Sequence, residues 1–244
     1  MITTSKAVVL KAIPFQESSI IANVLTDNQG KQALIAKGAR RPKSPMRAML
    51  EPGNLISVVY NLKQGRDMHV LRQADIVEKT YKLRYDPGKF SSAIRSLELI
   101  EQLVHPGEQN PAMFAFTETF LVWLSNVADS VTSIFPYVQL RLAAIMGIGI
   151  AKHPNLNSST GNEVVLDVGN GLVTNHRDGF CIPLNSWQAW YLETAIDNKG
   201  KLLLDASPSA ADLNNLTRHL DVYLSHHIEG LRDRRSDSVF SQIL

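Results

Sequence analysis

The sequence predicts an α+β, multidomain fold: a small closed β-barrel of five strands, then an α-helical domain interrupted by a short module. Three observations predict it. Short apolar runs separated by turn residues fill residues 1–80, and no helical period appears before residue 85. From Asp86 onward apolar residues recur three and four apart, the spacing of one helix face. Between residues 152 and 183 that period dissolves into Asn, Ser and Gly clusters before it returns.

The first strand is expected at Lys6-Ala7-Val8-Val9-Leu10-Lys11, an apolar run bounded by lysines. The second falls in residues 18–26, rich in Ile, Val and Leu, and Asn28-Gln29-Gly30 supplies hairpin turn chemistry before Ala33-Leu34-Ile35-Ala36. Pro42 and Pro45 interrupt the pattern. Residues 55–62 alternate weakly around Val58, Val59 and Tyr60, Gln64-Gly65 turns the chain, and residues 68–77 give a fifth strand. Five short strands with a Pro-containing break between the third and fourth fit a closed Greek-key barrel of the OB type, which leaves no edge unpaired. An SH3-like barrel has a similar strand count.

Phe90, Ala93, Ile94, Leu97, Ile100 and Val104 make the first helical stripe. Met113, Phe116, Phe120, Trp123, Leu124 and Val127 make the second, after a break over residues 105–111. Ile134, Phe135, Val138, Leu142 and Ile145 make the third, which ends before Gly147 and Gly149. Residues 164–168 and 171–174 form a candidate hairpin across Gly169-Asn170. Helical pattern resumes in residues 187–195 and, after a Ser207-Pro208 start signal, runs through Leu213, Leu216, Leu220, Tyr223, Leu224 and His227. The expected domains are therefore a barrel in 1–80, a discontinuous helical domain in 81–150 and 184–244, and an insertion in 151–183. The polar tail Arg232-Asp233-Arg234-Arg235-Ser236-Asp237 is expected to fray.

With 44% hydrophobic and 20% charged residues over 244 positions, the composition is that of a folded globular chain. No window approaches the ~18 uncharged apolar residues of a membrane helix, and the N-terminus lacks the order of a secretory signal, so a cytoplasmic protein with no membrane partner is expected. Cys181 is the sole cysteine, which excludes an internal disulfide and a thiolate zinc set. There is no Walker-type phosphate loop, no G-x-S-x-G elbow and no two-metal acidic cluster. No catalytic residue is assigned on this pattern, and binding rather than catalysis is the expected mode. His226-His227 lacks the spacing of an H-E-x-x-H site, and His227 falls on the apolar stripe as a core histidine would. A hydrolase built on His226, His227 and Glu229 is the remaining catalytic alternative.

The net charge of +2 conceals a division. Residues 1–84 hold 14 Lys/Arg against 6 Asp/Glu, a net of +8, and residues 85–244 hold 11 against 17, a net of −6. That asymmetry points to a polyanionic partner for the first part, against the plainer reading of a solvated basic surface. The densest cations are Lys37, Arg40, Arg41 and Lys43 in the stretch Lys37-Gly38-Ala39-Arg40-Arg41-Pro42-Lys43-Ser44, with Arg47 close behind. Arg forks and Lys ammonium groups at a barrel rim suit successive phosphates, and Gly38 permits close backbone approach. Lys63, Arg66 and Arg72, then Lys79 and Lys82, extend the patch. The barrel is poor in aromatic platforms: Phe15 and Tyr60 are the main candidates and either is more often a core or rim packing residue, so backbone-dominated binding with weak sequence preference and strong salt dependence is expected.

Ala7-Val8-Val9-Leu10, Glu17-Ser18 with Ile20 and Ile21, Leu25-Thr26, Gly30-Lys31 and Lys37-Gly38-Ala39-Arg40 resemble, in order and spacing, the opening of the RecO family. Leu50-Glu51-Pro52, Asn110-Pro111, Arg141-Leu142 leading to Met146-Gly147-Ile148-Gly149, and Tyr223-Leu224 followed by His226-His227 extend the likeness over most of the chain. The resemblance implies an N-terminal OB domain, a helical domain and a zinc-ribbon-like insertion. It implies binding of single- and double-stranded DNA, annealing of complementary strands, and work with RecR and the single-stranded DNA-binding protein to load RecA during DNA repair in the nucleoid. The alternative is an OB-fold adaptor that binds RNA or an acidic protein. Many family members carry two Cys-x-x-Cys pairs in the insertion. Here Asn157, Thr160, Thr174 and Arg177 fall near those places, so the insertion is degenerate and no zinc or other cofactor is expected. Ser19 stands where an acidic residue is usual and is expected to raise the local positive potential. The helical domain is expected to receive the acidic, Phe-ended tail of the single-stranded DNA-binding protein, with Arg141, Lys152 and Arg218 as candidate rim cations.

Overall fold

The apolar run at residues 7–10 is only the middle of a much longer strand. In the computed structural model, which describes residues 1–63, 65–128, 131, 133–156, 163–204 and 208–240, β1 spans Ile2–Phe15. Its first half pairs antiparallel with β4 (Leu55–Asn61) and its second half with β2 (Ser19–Thr26). A register shift between Val9 and Lys11 bends the strand from one partner to the other. β3 (Gly30–Ala36) pairs antiparallel with β2, and β5 (Met68–Glu78) lies parallel to β3 and antiparallel to β4. The barrel so closes in the order β1-β2-β3-β5-β4, as the OB-type expectation requires.

Alternate residues point inward. Ala7, Val9, Ala22, Val24, Leu34, Ala36, Ile56, Val58, Tyr60 and Leu71 form the barrel core. Each large side chain there contributes about 1.5–3 kcal/mol by leaving water. Val8 and Leu10 have the opposite parity yet are buried too, because two helices pack against β1. Burial of both faces is why Ala7-Val8-Val9-Leu10 reads as a continuous apolar run rather than an alternating one.

Between β3 and β4 lies the single turn α1 (Met46–Met49). After β5 come a 3-10 helix (Thr80–Tyr85), α2 (Pro87–Leu103) and α3 (Pro111–Asn126). The sequence sets both helix starts in the same way. Asp86 and Asn110 accept the backbone N–H of Lys89 and Met113 at 3.0 and 2.9 Å, and each is followed by Pro at the first helical position. The loop joining α2 to α3 lies along the β2–β3 hairpin. Gly107 N–H donates to Lys31 O at 2.9 Å and the Gln109 amide donates to Asn28 O at 2.7 Å.

Contacts gather the chain into two compact units, Met1–Ser130 with Asp233–Leu244, and Val131–Arg232. The first unit corrects one expectation. Residues 233–240 do not fray: α8 (Arg235–Phe240) packs on α2. Arg95 Nε and Arg234 Nη2 donate to the two oxygens of Asp237 at 2.7 and 2.8 Å, and the Ser236 N–H and hydroxyl both donate to Glu98 Oε2. Phe240 meets Phe90 edge-on. Asp237, which looks solvated along the chain, has a partner in Arg95 on α2, far back in sequence. Asp237→Ala leaves two largely buried guanidinium groups without that acceptor. It is expected to lower stability by about 1–3 kcal/mol, read as a lower urea midpoint with an unchanged slope.

In the second unit α4 (Ile134–Ile145) packs against α7 (Ala210–His227), with Gln139 donating to Thr217 O and Asp221 Oδ1. β6 (Ala151–Lys152), β7 (Val164–Asp167), β8 (Leu172–Thr174) and β9 (Cys181–Leu184) form one sheet in the order β6-β8-β7-β9. The expected hairpin is β7–β8, its turn fixed by Asp167 accepting the N–H and side-chain amide of Asn170 at 3.0 and 2.8 Å. The short edge strands β6 and β9 were not expected. α5 (Ser186–Ile196) starts from an Asn185–Gln188 capping box, and α6 (Gly200–Leu204) follows. The cap of α7 is Ser209, whose hydroxyl accepts Asp212 N–H at 3.1 Å, in place of the expected Ser207-Pro208 signal. Ser207, Gln64, Asn157, Thr160 and Gly161 lie outside the described residues. Among the described residues no helix is long and apolar enough to cross a membrane.

Candidate nucleic-acid interface

β3 leaves the barrel at Ala36, and within five residues the chain exposes Lys37, Arg40 and Arg41. Their backbone is pinned. Ala39 is 0% exposed and belongs to the barrel core, so the residues on either side are turned outward. Arg40 N–H donates to Ser18 O at 2.9 Å and its guanidinium to Gln16 O at 3.1 Å, which ties the stretch to the β1–β2 turn. Gly38 takes φ +72°, a conformation that favours glycine, and its carbonyl accepts Arg41 N–H at 3.1 Å. Ser44 N–H then donates to Arg41 O, and Lys43 and Arg47 are exposed on the same excursion. Among the described residues none of Lys37, Arg40, Arg41, Lys43 and Arg47 forms an ion pair. Five uncompensated cations on an ordered rim have the chemistry to pair with phosphate oxygens at little conformational cost.

The other predicted cations divide. Val70 pairs with Ile35 on the parallel strand, so Arg72, two residues on, runs beside the end of β3 from which Lys37 departs. Its Nε donates to Asn61 Oδ1 at 2.8 Å. Lys63 and Arg66 are exposed in the β4–β5 loop, which enters β5 at Met68, beside Ala33 and away from that end. Lys31 is committed elsewhere: its ammonium donates to Glu101 O at 2.7 Å, and burial holds its pKa below the usual lysine value although Glu101 opposes the shift.

Tyr60 is 0% exposed in the barrel core, where burial raises its hydroxyl pKa, so its ring packs inside the barrel and offers no stacking face. Ser19 is buried at the start of β2. Phe15 is half-buried at the end of β1. The exposed rings of the N-terminal part stand instead on the 3-10 helix, where Tyr81 and Tyr85 alternate with Lys79, Lys82 and Arg84. A cationic stretch carrying two tyrosines and no acidic residue was the available signal.

In the second unit, Lys152 pairs with Asp197 at 2.6 Å, Arg218 is exposed on α7 and Arg141 is half-buried on α4. No described hydrogen bond or ion pair joins the three. At two of the four positions where a zinc ribbon needs ligands, the residues do not fit. Thr174 is buried with its hydroxyl accepting His176 N–H, and Arg177 brings a cation paired with Glu163. Among the described residues no three His, Cys, Asp or Glu converge to hold a metal. His227 Nε2 donates to Val168 O at 2.8 Å while its ring packs on Tyr223, and His226 packs on Phe180, so the histidine pair is engaged in packing rather than in a relay to Glu229. Cys181 is half-buried on β9 with its thiol toward Asp178 O.

Residues 1–80 match the family model described as Recombination protein O N terminal, and residues 84–170 the one described as Recombination protein O C terminal. The chain is 34% identical over 171 residues to the DNA repair protein RecO of Salinibacter ruber, covering 70% of this chain and 66% of that one. It is 27% identical over 147 residues to the protein of the same name from Prosthecochloris aestuarii, covering 60% and 56%. Both alignments span less than two thirds of the relative's own length. A third, with DNA repair protein RecO of Pelodictyon phaeoclathratiforme, is 22% identical over 263 residues and covers 100% of this chain and 99% of the relative.

Proposed function

Because the chain belongs to the RecO family of DNA repair proteins, we propose that it works by binding: the barrel rim grips the phosphates of single- and double-stranded DNA and anneals complementary strands. The observation that carries this is the pinned excursion with Lys37, Arg40, Arg41, Lys43 and Arg47 exposed and unpaired. Two strands held on one cationic surface lose much of their mutual repulsion, so pairing accelerates without a covalent step, a catalytic residue or a metal. Arg72 extends the grip, and Lys63 and Arg66 offer a second contact from the β4–β5 loop. The partners implied by the family resemblance complete the role. RecR and the acidic tail of the single-stranded DNA-binding protein are engaged, the latter with Arg141 and Arg218 among the cations, and RecA is loaded on the DNA so cleared.

Annealing of complementary oligonucleotides, bare and coated with single-stranded DNA-binding protein, tests the reading. The purified protein is expected to accelerate both, with an effect that fades as salt rises and is unchanged by a chelator. No DNA binding at low salt sinks it.

A further inference from the structure

The seven residues 79–85 carry three cations, two tyrosines and no acidic residue. A 3-10 helix has three residues per turn, so residues three apart stand in one column. Thr80 and Leu83 form the buried column. Tyr81 and Arg84 form the second. Lys82 and Tyr85 form the third, with Lys79 at its foot, and this column faces water: all three are exposed, Tyr85 at 81%, against 39% for Tyr81 in the second column. Among the described residues neither ring packs on another aromatic ring.

The column is exposed yet firmly mounted. Thr80 Oγ1 accepts Leu55 N–H at 3.3 Å, at the start of β4. Arg84 is not free for a ligand: it pairs with Glu51 at 3.0 Å and donates to Pro52 O and Asn54 Oδ1, both at 3.2 Å. Asn54, buried, donates in turn to the carbonyls of Ala48 and Met49 at the end of α1, which carries Arg47. The 3-10 helix and the basic excursion therefore share one rigid anchor.

We infer that residues 79–85 are a stacking platform for single-stranded nucleic acid, on which an unstacked base lies against the Tyr85 ring while Lys82 and Lys79 hold the adjoining phosphates. An exposed tyrosine leaves a flat face wetted at a cost, and a base is the flat, uncharged partner that comes attached to the anion the lysines require. The column spacing of Lys82 and Tyr85, about 6 Å along a 3-10 helix, lets one ring and one ammonium address a single nucleotide. Duplex DNA keeps its bases stacked inside and cannot use the ring. The platform thus gives the protein a preference for unpaired strand that the cationic rim, which reads only phosphate, does not supply. The inference rests on the DNA-binding role proposed above.

The test compares wild type, Tyr85→Ala and Tyr85→Trp on oligothymidine and on a blunt duplex across a salt series. Tyr85→Ala is expected to weaken oligothymidine binding about 5- to 100-fold and to leave duplex affinity and both salt slopes unchanged. Tyr85→Trp is expected to restore binding and to show added fluorescence, relative to wild type, that oligothymidine quenches. Tyr85 is so exposed that the thermal midpoint should stay put. Equal loss on both DNAs, or no loss on either, overturns the platform while leaving the DNA-binding role intact. Intact DNA binding with lost partner-protein binding assigns the ring to a protein contact and overturns it as well. Failure of the wild type to bind either DNA removes the DNA-binding role itself, and the platform with it.

Discussion

Reversal of both Arg40 and Arg41 to Glu is expected to weaken binding to every DNA sequence alike, on the order of 50-fold or more at 0.1 M salt, and to flatten its salt dependence. The magnitude follows from counterion release. Each phosphate neutralised contributes a slope of about −0.9 in log affinity against log salt for duplex and about −0.7 for single strands. Two lost contacts therefore make the slopes shallower by about 1.8 and 1.4, and introduced carboxylates add repulsion. The fold should survive, because the backbone around these residues is held by Ala39 in the core and by main-chain bonds that no side chain supplies. The guanidinium of Arg40 also donates to Gln16 O, so Arg40→Gln serves as a control that removes the charge and keeps an amide donor. A salt titration of the double variant showing wild-type affinity and slope would place the DNA contact elsewhere on the protein.

Gly30→Ala is expected to be the most damaging single methyl group in the barrel. Gly30 takes φ +65°, which alone costs a side-chain-bearing residue about 1–2 kcal/mol. The added carbon would also sit 2.0 Å from Glu108 O and 2.5 Å from its carbonyl carbon, both backbone atoms. Relief requires the α2–α3 loop to lift off the hairpin, which breaks the Gly107–Lys31 and Gln109–Asn28 bonds. Together these give a loss of about 3–5 kcal/mol, against a total stability of about 5–15 kcal/mol. Gly107→Ala isolates the conformational part, since Gly107 has φ +74° and nothing within 4 Å of its added carbon. Urea unfolding should show a loss several-fold larger for Gly30→Ala than for Gly107→Ala. Equal losses would mean that the loop yields freely and that the close approach carries no energy.

The barrel was legible because its strands bury alternate apolar residues and five short strands with no unpaired edge suit a closed sheet, whereas the choice between an OB and an SH3-like order was not, since it turns on the pairing of β3 with β5. The true length of β1 was not legible. Thr3 and Ser5 point inward and are buried, so the alternation continues in polar residues that carry no hydrophobic signal. β9 was hidden by Pro183, which a strand tolerates here because β9 lies at the sheet's edge. The place of Tyr60 in the core rather than on a stacking face follows from parity: it stands two residues from Val58 and four from Ile56, on the inward side of β4. The cations of residues 37–47 announce themselves by density, whereas the place of Arg72 beside them depends on a parallel pairing of β3 with β5 that no local pattern reveals. The docking of residues 233–240 was beyond local reading for the same reason. Its partners, Arg95 and Glu98, sit on a helix formed much earlier in the chain.

That docking bears on the order in which the protein is made. The first unit begins at residue 1 and is completed by α8, so it remains unfinished on the ribosome until the whole of residues 131–232 has been synthesised. Until then the α2 surface that receives α8 lacks its cover, and Arg95 and Glu98 face solvent or a chaperone. Once folding is complete, a protease cut within residues 131–232 does not by itself release α8. It turns an intramolecular contact into an association between two chains, and the stability of the first unit then becomes dependent on concentration.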